Sequence, residues 1–263
     1  MNKMILMNEV KHYFLMTLIW SLVLGALLAM VIGMFPVMAQ DMSSIVGMIN
    51  NLGPFGQALK IDGLQINKLI GFYGMEMENM LGIGGAFFAG YLGGKILAKE
   101  EGGHTAEFLL THPILRVRIY LEKMLALILI LLVFNLIITT IAYFSIVFTG
   151  QVVPLAEFLQ MHFAMFLVQV SLAWLTLGIS AFLKADSIGI SMGIVFILFF
   201  VNIFINLYSK LNFLSFLTPF QFSYASDILK DGINYNLVAI VMGWMFLVMV
   251  IGGMYYQQKD IQA

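Results

Sequence analysis

The feature that most constrains this chain is the run from Tyr13 to Met34, which contains no charged residue and is preceded by Lys3 and Lys11. About twenty apolar residues are what a helix needs to cross roughly 30 Å of hydrocarbon. The same test finds further spans near 80–98, 124–149, 161–183, 188–208 and 237–256. With 61% apolar and 10% charged residues, lipid rather than a single protein core must solvate the chain. The expected fold is all-α, a polytopic integral membrane protein of about six transmembrane helices forming one domain over 1–263, with spans near 13–34 and the five positions above. A cleaved signal peptide is the competing reading of the first run, since Val37-Met38-Ala39 has the form of a cleavage site. The run is longer than the 7–15 residues of such segments, so a retained span is expected.

Six spans put both termini on one side. That side carries Lys3, Lys11, Lys95, Lys99, Arg116, Arg118, Lys123, Lys184 and Lys259, against Lys60, Lys68, Lys210 and Lys230 on the other. The positive-inside rule then makes the termini cytoplasmic. A multi-pass protein of a cell membrane, bacterial in type, is expected. The outer segments 35–79 and 209–236 mix apolar residues with Gly, Asn and Pro, which suits short helices on the membrane surface. The net charge of −1 gives no footprint for nucleic acid. The absence of cysteine excludes disulfides, thiolate metal sites and cysteine nucleophiles. The 20 methionines read as adaptable packing rather than a soft-metal path.

Small residues recur every four positions in the second span at Gly82, Ala86, Gly90 and Gly94, beside a row at Gly85, Ala89 and Gly93. Such ridges let another helix approach closely, either within the chain or at a dimer seam. Asn135 with Thr139, and Asn202 with Asn206, share helix faces and read as hydrogen-bonding pairs between helices, with lining of a path as the alternative. Glu76 and Glu78 fall at the outer mouth of the second span, where they either attract a cationic substrate or are simply hydrated.

The densest ionisable cluster is the cytoplasmic loop 99–123. His104 and His112 lie eight apart with Pro113 following, which does not fit two metal ligands on one helix face. The stretch Thr105 to Leu110 reads instead as a short helix stopped near Pro113, with acids on one side and Phe108 and Leu109 on the other. Held between two spans, it can plug a groove on a soluble partner, or be a solvated surface helix.

The run Lys99-Glu100-Glu101-Gly102-Gly103-His104-Thr105-Ala106-Glu107-Phe108-Leu109-Leu110-Thr111-His112-Pro113-Ile114-Leu115-Arg116 resembles the cytoplasmic loop of type-2 (export) ABC transporter permeases. Leu18-Ile19-Trp20-Ser21, Thr218-Pro219-Phe220, Asp227-Ile228-Leu229 and Lys259-Asp260-Ile261 extend the resemblance over essentially the whole chain. The additional glycine with His104, and Leu115 where the family commonly has serine, depart from its pattern. The resemblance implies a permease subunit that pairs with a second copy or a sister permease and with two separate ABC ATPase subunits, which bind ATP and Mg²⁺. The loop would be the coupling helix, with Glu100, Glu101, Thr105, Glu107, Phe108, Leu109, Pro113 and Arg116 in that role.

The residues agree with a division of labour. No G-x-x-x-x-G-K-[ST] phosphate loop and no G-x-S-x-G elbow occurs, so no catalytic residue, cofactor or metal is assigned to the chain itself. No buried charge pair is expected along the spans, which points to an apolar or amphipathic cargo such as a peptide, lipid or drug. The rival reading is a self-contained membrane protein without ATP coupling: a facilitator, an intramembrane enzyme or a bacteriocin immunity protein.

Overall fold

The computed structural model describes residues 4–39, 53–58, 60, 64–102, 115–183 and 188–259. Among the described residues six helices are long and apolar enough to cross a membrane: Ile5–Met38, Leu69–Lys99, Arg116–Phe148, Leu155–Ser180, Ile188–Leu207 and Tyr235–Gln258, here the first to sixth spans. No strand occurs among the described residues, and the protein is an all-α polytopic membrane protein. The helices outrun the apolar stretches at several ends. The second begins at Leu69 rather than near 80, and the third at Arg116 rather than near 124. Charged residues such as Arg118, Glu122 and Lys123 interrupt hydropathy but not the backbone ladder, which closes within the segment whatever the side chains are.

Burial separates interior from lipid-facing helices. The most apolar windows of the second and fourth spans are 67% and 72% buried, against 22–39% for the other four. The second span can be central because its small residues admit close neighbours. A Cβ on Gly90 would come within 2.5 Å of Val195 in the fifth span, and one on Gly93 would strike Thr176 and the Ala173 carbonyl in the fourth. The first span packs on the third, and a stack of Trp20, Phe88 and Phe134 (centroids 5.6 and 4.7 Å apart) fastens the first three spans together. The fourth and sixth spans cross almost backbone to backbone, since a Cβ on Gly178 would lie 2.5 Å from the Val248 carbonyl and one on Gly252 would overlap Gly178.

The second span is not one regular helix. Glu78–Gly85 is a π-helical stretch in which the Ala86 N–H reaches back to Leu81 O. The wider turn changes which residues share a face. The expected ridge of Gly82, Ala86, Gly90 and Gly94 presumes an unbroken α-helix, but Gly82 meets only Met165 Cε, at 3.9 Å, while Gly85 takes the tight position against Gln169.

Short elements fill the interval between the fifth and sixth spans. These are the 3-10 segments Ser209–Leu217 and Pro219–Phe222 and the helix Ala225–Asp231. Gly232, at φ +77°, ends that helix in a conformation L side chains resist, and Asn234 caps the sixth span by accepting from Leu237 N at 3.2 Å. Trp244 Nε1 donates to Phe216 O (2.8 Å), tying these elements to the sixth span.

Candidate functional site

Three polar constellations are built into this apolar bundle. The first lies at the roots of the loop between the second and third spans. Glu9, on the first span and 4% exposed, receives Lys99 Nζ on one carboxylate oxygen (2.5 Å) and Lys123 Nζ on the other (2.7 Å). Lys123 is fully buried and also donates to Ile96 O (2.7 Å). Next to Lys123 in the chain, Glu122 accepts from Arg118 Nε (2.9 Å) and from the Leu6 backbone N–H (3.3 Å). This ionic cluster corrects the expectation of spans without a buried charge pair. Hydropathy places Glu9 and Lys123 outside the apolar windows as solvated flanks, whereas the helices continue through them and bring the charges together.

Because Lys99 precedes the loop and Lys123 follows it, a single carboxylate grips both of its ends. Arg116 makes a separate attachment, donating to the carbonyls of Lys259 (2.6 Å) and Gln257 (3.4 Å) at the end of the sixth span. A cation there complements the unpaired carbonyls of a helix C-terminus. Lys259 Nζ in turn donates to Leu183 O (2.6 Å) beyond the fourth span. Thr105, Glu107, Phe108, Leu109 and Pro113 lie outside the described residues. Glu100 and Glu101 belong to the helix Ala86–Gly102, but their side chains are likewise outside the description.

The second constellation lies at the other ends of the spans, away from the loop between the second and third. Asn202 and Asn206, four apart on the fifth span, both donate through Nδ2 to the Tyr224 hydroxyl, at 2.6 and 2.5 Å. Their Oδ1 atoms both accept from Gln221 Nε2, at 2.9 and 2.8 Å. The four side chains form a closed ring of hydrogen bonds that pins the segment around Tyr224 to the fifth span. Burial pushes the Tyr224 phenol above its ordinary pKa, so it stays a neutral acceptor. Glu78 accepts from the Ala225 N–H, which places a carboxylate at the start of the helix Ala225–Asp231. Lys60 pairs with Asp227 (2.7 Å) and lies over the Tyr224 ring. Glu78, Asn79, Gly82, Asn202 and Tyr224 line a cavity of about 50 Å³, room for a few waters but not for a bulky cargo. Glu76, two residues before Glu78, is half-buried and does not line this cavity.

The third constellation lies among the middle spans. His162 is held between the Tyr73 hydroxyl at Nε2 and Thr139 Oγ1 at Nδ1 (2.9 Å), with Phe158 against its ring. Asn135 Nδ2 donates to Gln169 Oε1 (2.6 Å) and Leu131 O (2.8 Å). Asn135 and Thr139 share a helix face, as their spacing predicts, yet each bonds a different partner on the fourth span. No group of His, Asp and Glu suited to a metal occurs among the described residues. Sequence reasoning missed Glu9 and the Gly178–Gly252 crossing. The first is one charge before an apolar run, and the second pairs single glycines far apart in the chain.

Comparison with family models assigns residues 7–261 to the ABC-2 family transporter protein. The chain belongs to the ABC-2 transporter family. It is therefore a transmembrane permease of the ABC transporter class, a transport subunit whose family works with ABC ATPases. No curated protein matched the chain. The loop-root cluster lies at the Lys99 end of the second span, and the ring around Tyr224 lies toward its other end, beside Glu78.

Proposed function

We propose that this ABC-2 permease forms the substrate path of an ATP-driven exporter, together with a second copy or a sister permease. Two ATPase subunits, holding ATP and Mg²⁺, dock on loop 99–123 at the cytoplasmic face of the cell membrane. Glu100, Glu101, Thr105, Glu107, Phe108, Leu109 and Pro113 supply the docking helix, Phe108 and Leu109 as apolar plugs. Arg116 fixes the exit of the loop to the sixth span. The observation that carries this reading is that both roots of the loop are joined through Glu9, so a push on the loop moves the first three spans as a unit. ATP binding closes the ATPases, and the permease halves rock between inward- and outward-open states that differ in cargo affinity.

An apolar or amphipathic cargo fits this bundle. The buried charges stand at the loop roots, and the polar side chains of the spans are largely occupied with one another. Glu78, with its carboxylate on the Ala225 N–H, acts as the tie between the second span and the outer helix.

The test is affinity capture of the tagged chain from its native membrane, with Phe108→Ala and Glu107→Ala beside the unmutated protein, followed by mass spectrometry. Recovery of an ABC ATPase that both variants lose is expected. Absence of any ATPase across several mild detergents would favour the self-contained membrane protein. ATP-driven efflux from reconstituted vesicles then reads the direction.

A further inference from the structure

A groove of about 210 Å³ runs between the third and sixth spans, walled by Val117, Leu121, Phe246, Val250 and Met254. Its floor is made where Gly253 leaves room for the Tyr120 ring, and the Tyr120 hydroxyl donates to Met249 O (2.7 Å), fixing that floor in place. The walls are exposed: Leu121 46%, Phe246 44%, Met254 61%. From Phe246 to Gln257 the groove follows the sixth span for about 16 Å at 1.5 Å per residue, which is about half of a 30 Å hydrocarbon core. The groove is therefore as long as one leaflet is deep, and it opens at the end that bears the C-terminus.

At that end stands a cation. Arg116 uses one terminal nitrogen on Gln257 O and Lys259 O, and its Nε and other terminal nitrogen have no partner among the described residues. The guanidinium fork thus keeps donors for a planar or tetrahedral anion beside Gln257, which lines the apolar slot. Bulk lipid needs only the slot; the head cation gives the site a preference.

We propose that this groove is a binding site for one anionic phospholipid of the cytoplasmic leaflet, its acyl chain along Leu121, Val250 and Met254 and its headgroup phosphate on Arg116. The lipid bridges the third and sixth spans at the level where Arg116 leaves the loop. The site is independent of whether an ATPase docks, since it needs only the folded permease and a bilayer.

Native mass spectrometry of the detergent-purified full chain tests it, titrated with phosphatidylglycerol and with phosphatidylcholine of the same acyl chains. The expected result is one tightly held phosphatidylglycerol per chain, bound about ten-fold better than phosphatidylcholine, as one charge-assisted contact provides. Arg116→Gln should abolish the preference and Arg116→Lys should restore part of it. Val250→Trp, on the lipid-facing wall, should weaken both lipids about equally by filling the slot. Because Arg116 also caps the sixth span, Val250→Trp and the Lys variant keep the test readable if Arg116→Gln folds poorly. Equal binding of the two lipids by the unmutated chain would overturn the headgroup assignment. Unchanged binding in Val250→Trp would overturn the seating of the acyl chain.

Discussion

Replacing Glu9 by Gln isolates the ionic joint at the loop roots. The substitution keeps size and one carbonyl oxygen but removes the charge that faces both Lys99 and Lys123. The two lysines do not suffer equally. The Lys99 side chain is 20% exposed and near the end of its helix, so it can turn to water. Lys123 is fully enclosed, and the carboxylate it meets at 2.7 Å is itself buried. Stranding one partner of a buried pair costs about 3–5 kcal/mol. Relaxation of Lys99 and the retained bond from Lys123 to Ile96 O put the expected loss at the lower end, roughly 3 kcal/mol. Thermal unfolding in detergent, followed by loss of the monodisperse peak, should show a drop of several degrees for Glu9→Gln. Lys11→Gln on the same helix, where the side chain is exposed, should leave the midpoint in place. The double variant Glu9→Gln with Lys123→Met removes both charges and should recover most of the loss, giving a coupling of at least about 2 kcal/mol. If Glu9→Gln melts with the Lys11 control, or the double variant is as unstable as the sum of the singles, the cluster does not hold the three spans together.

Other perturbations test the remaining geometry. Tyr224→Phe removes the acceptor shared by Asn202 and Asn206 and should destabilise by about 1–3 kcal/mol for stranded buried donors, read as a lower melting midpoint or faster proteolysis of the outer segment. Gly252→Ala drives a methyl into the Gly178 backbone, which cannot step aside, and should cost about 1–3 kcal/mol or block folding, whereas Gly243→Ala, with open space around it, should be close to neutral by the same thermal assay. Gly85→Ala pushes against Gln169, whose side chain can move, so its effect should be smaller than that of Gly252→Ala and should break the Asn135–Gln169 bond, visible as altered amide signals in solid-state NMR.

The all-α membrane fold was legible because charge-free runs have one physical solution in lipid: a helix with its backbone bonds closed internally. Helix ends were less so, because Arg116 to Lys123 reads as a polar flank although the helix already runs through it. The pairing of Asn202 with Asn206 on one face was visible from their spacing, but their shared partners Tyr224 and Gln221 sit beyond the end of that helix, where periodicity carries no information. The small-residue ridge was read from a four-residue repeat, in which a π-helical turn leaves no signature, and within the chain it is Gly85 rather than Gly82 that stands tightly against Gln169. Glu9 was hidden for a different reason. Its importance depends on Lys99 and Lys123, about 90 and 114 positions away, and on the packing of the first span upon the third.

The two attachments of the loop differ in what they join, and this difference has mechanical consequences. Lys99 and Lys123 bind the same carboxylate on the first span, so the first, second and third spans share one joint. Arg116, only seven positions before Lys123, reaches instead the end of the sixth span, which crosses the fourth at Gly178 and Gly252. The contact at Arg116 is a pair of hydrogen bonds to backbone carbonyls near the surface, whereas that at Glu9 is a buried ion pair whose rupture leaves a charge in apolar surroundings. Surface contacts of that kind break at far lower cost than buried pairs that lose a partner. A force applied through the loop should therefore open the Arg116 contact first, separating the third span from the sixth while the first three spans stay together. Disulfide trapping between cysteines placed at Val117 and Gln257 would check this order: such a link should hold the two spans together and block ATP-dependent transport, whereas a link between the first and third spans should leave it intact.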